Sequence, residues 1–397
     1  MRGLRNVVAS LCVVAGIGLL AACTNTGLDR LGLGDQAPPP QPPTQEQAGT
    51  QLGSGQIRVG LILPLSAQGN AGAAAQSMKN AAEMALAEFK NPNIQLLVKD
   101  DGGNPVSAQA AAQQAMGEGA EIIIGPLFAQ AVSAVGVVAR QRNVPVIAFS
   151  TDSSVASRGV YLLSFLPESD VRRIVEYQIS RGKRSFAGLL PEIAYGSVVV
   201  AAFQQEVPRR GGRVLSLEKY PLDPNKIAEP VRRVAQVANQ VDSIFIPDGA
   251  DAVPQVVQAL TAARVNLKRV TLLGTGLWDD PRIFADRSLE GALYAAPESS
   301  GFRNFAARYK ARFNQEPVRT ATLAYDAVAL VAALVKTQGA QRFSEQILTN
   351  SSGFAGIDGV FRFRADGTNE RGLAVLKVTP TGGQVASPAP RSFRPGT

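Results

Sequence analysis

Along residues 57–378 the apolar positions alternate between two rhythms. The run "IRVGLILPL" (57–65) is continuously apolar after Arg58 and stops at Pro64, as a strand buried on both faces would. The next segment, "AGAAAQSMKNAAEMALAEF", places Met78, Ala82, Ala85 and Phe89 on one helical stripe. The alternation continues through "IQLLVKD", a helix across "SAQAAAQQAMGEG", "EIIIG", a helix from Leu127 to about Arg142, and "VPVIAF". Strand and helix in strict turn predict a parallel sheet covered on both faces. The same order restarts at "RSFAGLLPE" (184–192) and runs through the helix "GSVVVAAFQQEVPRRG", "RVLSLEKY", the helix near "IAEPVRRVAQVANQ", "DSIFIP", "DAVPQVVQALTAA" and "RVTLLG". Two successive α/β lobes follow.

The last third adds helices at "FRNFAARYKARFNQ" and "RTATLAYDAVALVAALVKTQ", then two short strands in "GVFRFRADGTNERGLAVLKV" around an Asp366-Gly367 turn. These elements are too few to bury their own apolar faces, so they are expected to pack back on the two lobes. Asp326, inside the apolar helix "AYDAV", reads as a structural residue.

The ends follow a different pattern. "MRGLRNVVASLCVVAGIGLLAAC" has a basic start, an apolar run from Val7 to Leu20 and small residues before Cys23, the layout of an export signal over residues 1–22. Its end, "LLAAC", resembles the bacterial lipobox, which implies that Cys23 becomes the lipid-bearing first residue of a lipoprotein. Two or more acyl chains hold stably to a bilayer, where one is marginal. Thr24 follows the cysteine, and the lack of an acid there implies sorting to the inner leaflet of the outer membrane, facing the periplasm. Residues 23–56, with "DQAPPPQPPTQEQAGTQLGSGQ", read as a disordered Pro/Gln-rich tether, and residues 379–397 as a disordered tail.

Chemistry narrows next. The chain has no histidine, and its two cysteines are Cys12, in the signal, and Cys23. Ser-His-Asp and Cys-His nucleophiles are excluded, as are zinc sites built on imidazole or thiolate. No paired-acid motif stands out; Asp100-Asp101 and Asp279-Asp280 read as loop or cap residues. A non-catalytic protein without cofactor or metal is expected. The formal charge of +8 includes Arg2 and Arg5 of the signal. Residues 168–240 carry 12 Lys/Arg against 8 Asp/Glu, with pairs at Arg172-Arg173, Arg209-Arg210 and Arg232-Arg233. These are solvated helix faces or a docking face for an acidic partner. No nucleic-acid motif accompanies them.

In open parallel sheets, ligands gather outside the carboxyl ends of the strands. The turns there carry Ser66, then Gly125-Pro126 with Leu127 and Phe128, then Ser150-Thr151 in lobe 1, and Tyr195, Asp248 and Trp278-Asp279 in lobe 2. With the lobes facing each other, these turns would line one cleft.

The order of "VGLILPLSAQG", "IIIGPLFAQAV", "VPVIAFSTDSSVA", "YGSVVVAAF", "LLGTGLWDDP" and "LAYDAVALVAAL" resembles the type 1 periplasmic-binding-protein superfamily, of the leucine/isoleucine/valine-binding kind, over about residues 57–378. The phrases "IIGPL", "AFSTD", "GVYLLSFLPESDVRR", "IPDGA" and "GTGLWDDP" resemble a narrower branch, the penicillin-binding protein activator lipoproteins. The superfamily implies two Rossmann-like lobes joined by a three-crossover hinge: lobe 1 at 57–166 plus 297–350, lobe 2 at 167–296 plus 351–378. Its amino-acid-binding members imply ligand contacts from Ser150, Thr151 and Tyr195, with Asp279 near the position of an acid. Ser150 and Thr151 equally suit caps of the following helix, and Tyr195 a packing role. Trp278 either stacks on a cleft ligand or plugs the lobe junction. Where such members place a serine for the carboxylate, this chain has Leu127, Phe128 and Ala129.

Two functions follow from the resemblance. One is a lipid-anchored regulator acting on a bifunctional peptidoglycan synthase, a penicillin-binding protein. The other is the solute-binding lipoprotein of an ABC transporter, delivering a branched-chain amino acid or related polar ligand to a permease.

Overall fold

The computed structural model of the chain describes residues 50–393; the signal, Cys23 and most of the tether lie outside the described residues. The chain opens with β1 (Gln51–Leu52), β2 (Ile57–Leu63), α1 (Asn70–Glu88), β3 (Ile94–Asp100), α2 (Pro105–Gly117), β4 (Ala120–Ile124), α3 (Ala129–Gln141), β5 (Val146–Ala148) and β6 (Val160–Leu162). These strands form one six-stranded sheet in the order β1-β3-β2-β4-β5-β6. All neighbours in it are parallel except β1, which runs antiparallel to β3. The tether reading therefore fails at its end: Gln51 and Leu52 join the sheet through backbone hydrogen bonds, which need no apolar pattern.

Lobe 2 follows with α4 (Pro167–Ser180), β7 (Ser185–Pro191), α5 (Ala194–Arg209), β8 (Arg213–Tyr220), α6 (Ala228–Val237), β9 (Ser243–Phe245), α7 (Val253–Ala262), β10 (Thr271–Gly274), α8 (Pro281–Ala285) and β11 (Leu293–Ala296). The chain then adds α9 (Ser299–Phe313), α10 (Ala321–Thr337) and α11 (Glu345–Leu348). It ends with β12 (Phe354–Gly356), β13 (Gly359–Phe363), β14 (Asn369–Arg371), β15 (Ala374–Thr379) and β16 (Gly382–Ser387). The second sheet has the order β16-β15-β11-β10-β9-β7-β8, with its β8-to-β11 part parallel and the last two strands antiparallel.

The closing elements do pack backwards. Leu323, Ala324, Ala327 and Val331 of α10 share one core with Val59 and Leu61 of β2 and Met78 and Ala82 of α1. Phe354, Phe361 and Phe363 join that same core, so residues 354–363 belong with lobe 1 and not with lobe 2 as the boundary at 351 had it. The small sheet β12-β13-β14 is too short to bury three phenylalanines by itself, and lobe 1 offers the open apolar face. The chain recrosses to lobe 2 between β14 and β15. The expected disordered tail is also corrected. β16 pairs with β15 from Thr379↔Gly382 to Val375↔Ser387, although none of its residues is fully buried and they give no burial pattern to read.

The stretch "IIIGPL" forms the predicted strand and turn. Gly125 has φ +93, and a Cβ there would lie 2.0 Å from the Ile62 carbonyl oxygen, so only glycine fits. The Gly125-Pro126 bond is cis. Gly125 N–H donates to Ile147 O (2.8 Å) and Phe149 N–H to Pro126 O (2.9 Å), which sews the turn to β5 and its continuation.

Candidate functional site

A cavity of about 400 Å³ opens between the lobes. Thr151 reaches it from the turn after β5, Phe165 and Pro167 from the first crossover, and Ala296 and Pro297 from the second. Asp170 in α4, Tyr195 at the start of α5 and Gly276, Leu277 and Asp279 after β10 line lobe 2's side. Arg319, just before α10, completes the wall. Most of this surface is apolar.

Each of its charged or phenolic groups already has a protein partner. Tyr195 OH lies 2.9 Å from Thr275 Oγ1, and burial pushes the phenol's pKa up, so it stays neutral. Asp279 Oδ1 accepts from Tyr294 OH at 3.0 Å, and burial raises that carboxyl. Asp170 Oδ2 accepts from Gly276 N–H at 2.9 Å, and burial pushes its pKa up to about 7. Arg319 donates from Nη1 and Nη2 to the two oxygens of buried Asp358, at 2.9 and 2.6 Å. Its guanidinium is stacked between the rings of Phe165 and Phe302, at 4.6 and 4.7 Å.

Of the nine residues expected in the cleft, the structure brings together Thr151, Tyr195 and Asp279. The others are occupied elsewhere. Ser66 donates its N–H to Asp100 Oδ1 at 3.1 Å, in the turn after β2. Leu127 packs on the lobe 1 core, while Phe128 lies partly exposed beside Gly103. Ser150 is buried, with Oγ accepting from Asp152 N–H at 3.1 Å, a local turn contact. Asp248 accepts from Tyr220 OH at 2.6 Å and from Gly249 N–H at 2.7 Å.

Trp278 is the clearest correction. It is fully buried, with Nε1 donating to Ile246 O at 3.1 Å. Its ring lies directly on Gly274, where a Cβ would come within 2.1 Å of it. It belongs to lobe 2's own core and neither faces the cleft nor plugs the lobe junction.

Sequence reasoning missed Phe165, Asp170, Leu277 and Arg319. Two of them sit on or beside crossovers, whose place depends on how the lobes meet. The glycine four residues before Trp278 was a readable sign that the tryptophan folds back. Asp326, read as structural, accepts from Ile357 N–H at 2.9 Å and is pushed up to about 7 by burial. Among the described residues no group of three or more acids could hold a metal ion, and no helix is long and apolar enough to cross a membrane.

A family model described as periplasmic binding protein matches residues 56–384, and the chain belongs to that family. Penicillin-binding protein activator LpoA of Klebsiella pneumoniae is 28% identical over 136 residues, 34% of this chain and 19% of that protein. Leu/Ile/Val-binding protein homolog 6 of Brucella abortus is 23% identical over 202 residues, 49% of this chain and 51% of that one. The chain thus spans about half the length, or less, of these curated relatives. A crystal structure of an ABC transporter from Rhodospirillum rubrum superposes with a TM-score of 0.73 at 19% identity, covering 83% of this chain and 99% of that one. At that identity the likeness carries the fold: two Rossmann-like lobes of the type 1 periplasmic-binding-protein kind. The family is one of generally non-catalytic binding proteins, and membership implies a periplasmic or envelope location.

Proposed function

We propose that this protein is a non-catalytic, lipid-anchored envelope regulator that acts by contact on a peptidoglycan synthase, a penicillin-binding protein. One observation carries the reading: Tyr195, Asp170, Asp279 and Arg319, the cleft groups best suited to seize an amino acid, are all engaged within the protein. Binding an α-carboxylate and an ammonium requires donors and acceptors that are free to turn to the ligand. Disrupting an internal pair to supply one costs about 1 to 3 kcal/mol each. The missing hydroxyl at Leu127-Phe128-Ala129 points the same way, and the similarity to a penicillin-binding protein activator supports the class of partner. Cys23 would supply the lipid anchor, on the inner leaflet of the outer membrane.

A second reading rests on the cavity itself. Its volume of about 400 Å³, bounded by both lobes, suits the solute-binding component of an ABC transporter. With Phe165, Pro167, Leu277 and Pro297 as walls, its ligand would have an apolar body and few polar groups.

The test is glycan polymerisation by purified bifunctional synthases from the same cell, with and without the lipidated protein. Stimulation that survives Thr151→Ala with Tyr195→Phe supports the regulator reading. Stimulation by none of the synthases overturns it.

A further inference from the structure

Beside the crossovers, with no lining residue in common with the cleft, a second cavity of about 770 Å³ is walled by six arginines: Arg172, Arg173, Arg209, Arg210, Arg364 and Arg371. The pairs at 172–173 and 209–210, distant in sequence, meet because α4 packs on α5. The remaining two come from the hairpin that joins β13 to β14. The acids among the lining residues are Glu176 and Glu370.

The carboxylates are shared thinly. Glu370 accepts from Arg364 at 3.0 Å and from Arg362 at 2.9 Å, with Arg172 at 3.7 Å. Glu206, behind the wall, accepts from Arg209 at 2.8 Å and Arg210 at 3.3 Å, and has Arg172 at 3.9 Å. Arg172 therefore lies between two acids and is hydrogen-bonded to neither. Leaving Arg371 aside and counting Glu206, the five guanidiniums of Arg172, Arg173, Arg209, Arg210 and Arg364 face three carboxylates, a surplus of two. The adjoining hollow is different in kind, since Glu168 and Asp366 balance it.

Arg371 differs from the other five. It is 6% exposed. Its Nε donates to Ser164 O at 3.0 Å, while Nη1 and Nη2 have no hydrogen-bond partner. That guanidinium is packed against the rings of Phe165 and Phe361, at 4.8 and 5.5 Å, and the charges of Asp358, Asp326 and Asp170 favour its ionised form, so its charge is met inside the protein. Burial, and then the neighbouring Arg364 charge, lower the pKa of Arg172, although Glu370 and Glu206 oppose the shift.

We propose that this cavity is a second ligand site, for a molecule carrying a phosphate or diphosphate group. Arginine's planar fork suits both carboxylate and phosphate. A carboxylate brings one charge, whereas a phosphate group brings about 1.5 to 2 at neutral pH, so one phosphate group matches the surplus of two. The site shares no lining residue with the cleft, and the inference does not depend on the regulator reading.

The experiment is a calorimetric titration of the full mature chain with sodium diphosphate, in low and in high salt, and in parallel a sedimentation assay with phosphatidate vesicles against phosphatidylcholine vesicles. Saturable binding is expected, weakened by salt. It should fall about tenfold for each of Arg172→Gln and Arg364→Gln and stay unchanged in Arg232→Gln/Arg233→Gln on α6. Arg172→Lys, which keeps the charge and loses the fork, guards against misfolding of the neutral variants and should still bind several-fold more weakly. Loss in the diphosphate titration identifies a soluble ligand; loss confined to the phosphatidate vesicles identifies a lipid headgroup. Absence of binding in both, or binding equal in native and variant proteins, overturns the proposal.

Discussion

Arg319 and Asp358 meet through two parallel hydrogen bonds, Nη1 to Oδ2 at 2.9 Å and Nη2 to Oδ1 at 2.6 Å, at the lobe 1 wall of the cleft. Thr322 Oγ1 adds a third donor to the same carboxylate at 2.6 Å. The pair explains how a cleft can present an arginine and still offer little to an anion. Asp358→Asn should destabilise the protein by about 3 kcal/mol, because it strands a partly buried guanidinium. It should also create weak affinity for benzoate that the native cleft lacks. Urea unfolding and a benzoate titration check both outcomes; a variant as inert to benzoate as the native protein would show that Arg319 does not address the cleft.

Asp170 and Asp326 make stability depend on pH. Burial pushes each up to about 7 from an ordinary 3.8. Between those values the folded protein holds more protons than the unfolded chain, so stability is full at the acidic end and falls as pH rises toward 7. Asp100, Asp242 and Asp280, whose values are lowered, lose their contribution only below that window. Asp170→Asn keeps an acceptor for Gly276 N–H and should flatten the slope. Denaturant unfolding across the pH range measures it, and an unchanged slope would remove Asp170 from the account.

Trp278, the chain's only tryptophan, reports on lobe 2's core. Its emission should be blue-shifted, resist acrylamide quenching, and shift little when anything occupies the cleft. Trp278→Ala should cost about 3 to 5 kcal/mol. Gly274→Ala should be nearly as damaging, since its methyl has to displace the ring. A readily quenched tryptophan would contradict the placement.

Ending the chain at Pro380 would remove β16. It would expose the edge of β15 and take away Ser387, whose Oγ accepts from Arg173 Nη2 at 2.7 Å. A lower melting temperature and concentration-dependent association are expected. An unchanged melt would show that β16 contributes nothing to the sheet.

What could be read from the sequence follows from where the information lies. Strands such as Ile57–Leu63 and Ala120–Ile124 announced themselves because they are buried on both faces and nearly all apolar. Thr151, Tyr195 and Asp279 reach the cleft because the carboxyl ends of parallel strands converge in any such sheet. Phe165 and Arg319 were invisible because their position depends on the meeting of segments more than a hundred residues apart. Phe165 lies between the guanidiniums of Arg319 and Arg371, at 4.6 and 4.8 Å, a relation no local pattern encodes. β16 was missed for the opposite reason: it is held by backbone pairing at a sheet edge, and its side chains carry almost no apolar signal.

The central claim is that the cleft's charged and phenolic groups are engaged internally and do not hold an amino acid. The most direct test is a calorimetric titration of the full mature protein with leucine, isoleucine, valine and a panel of polar amino acids. The account predicts no saturable heat from any of them, from protein shown by its melt to be folded. Saturable binding of one amino acid, abolished by Thr151→Ala with Tyr195→Phe, would contradict it and assign the protein to solute uptake.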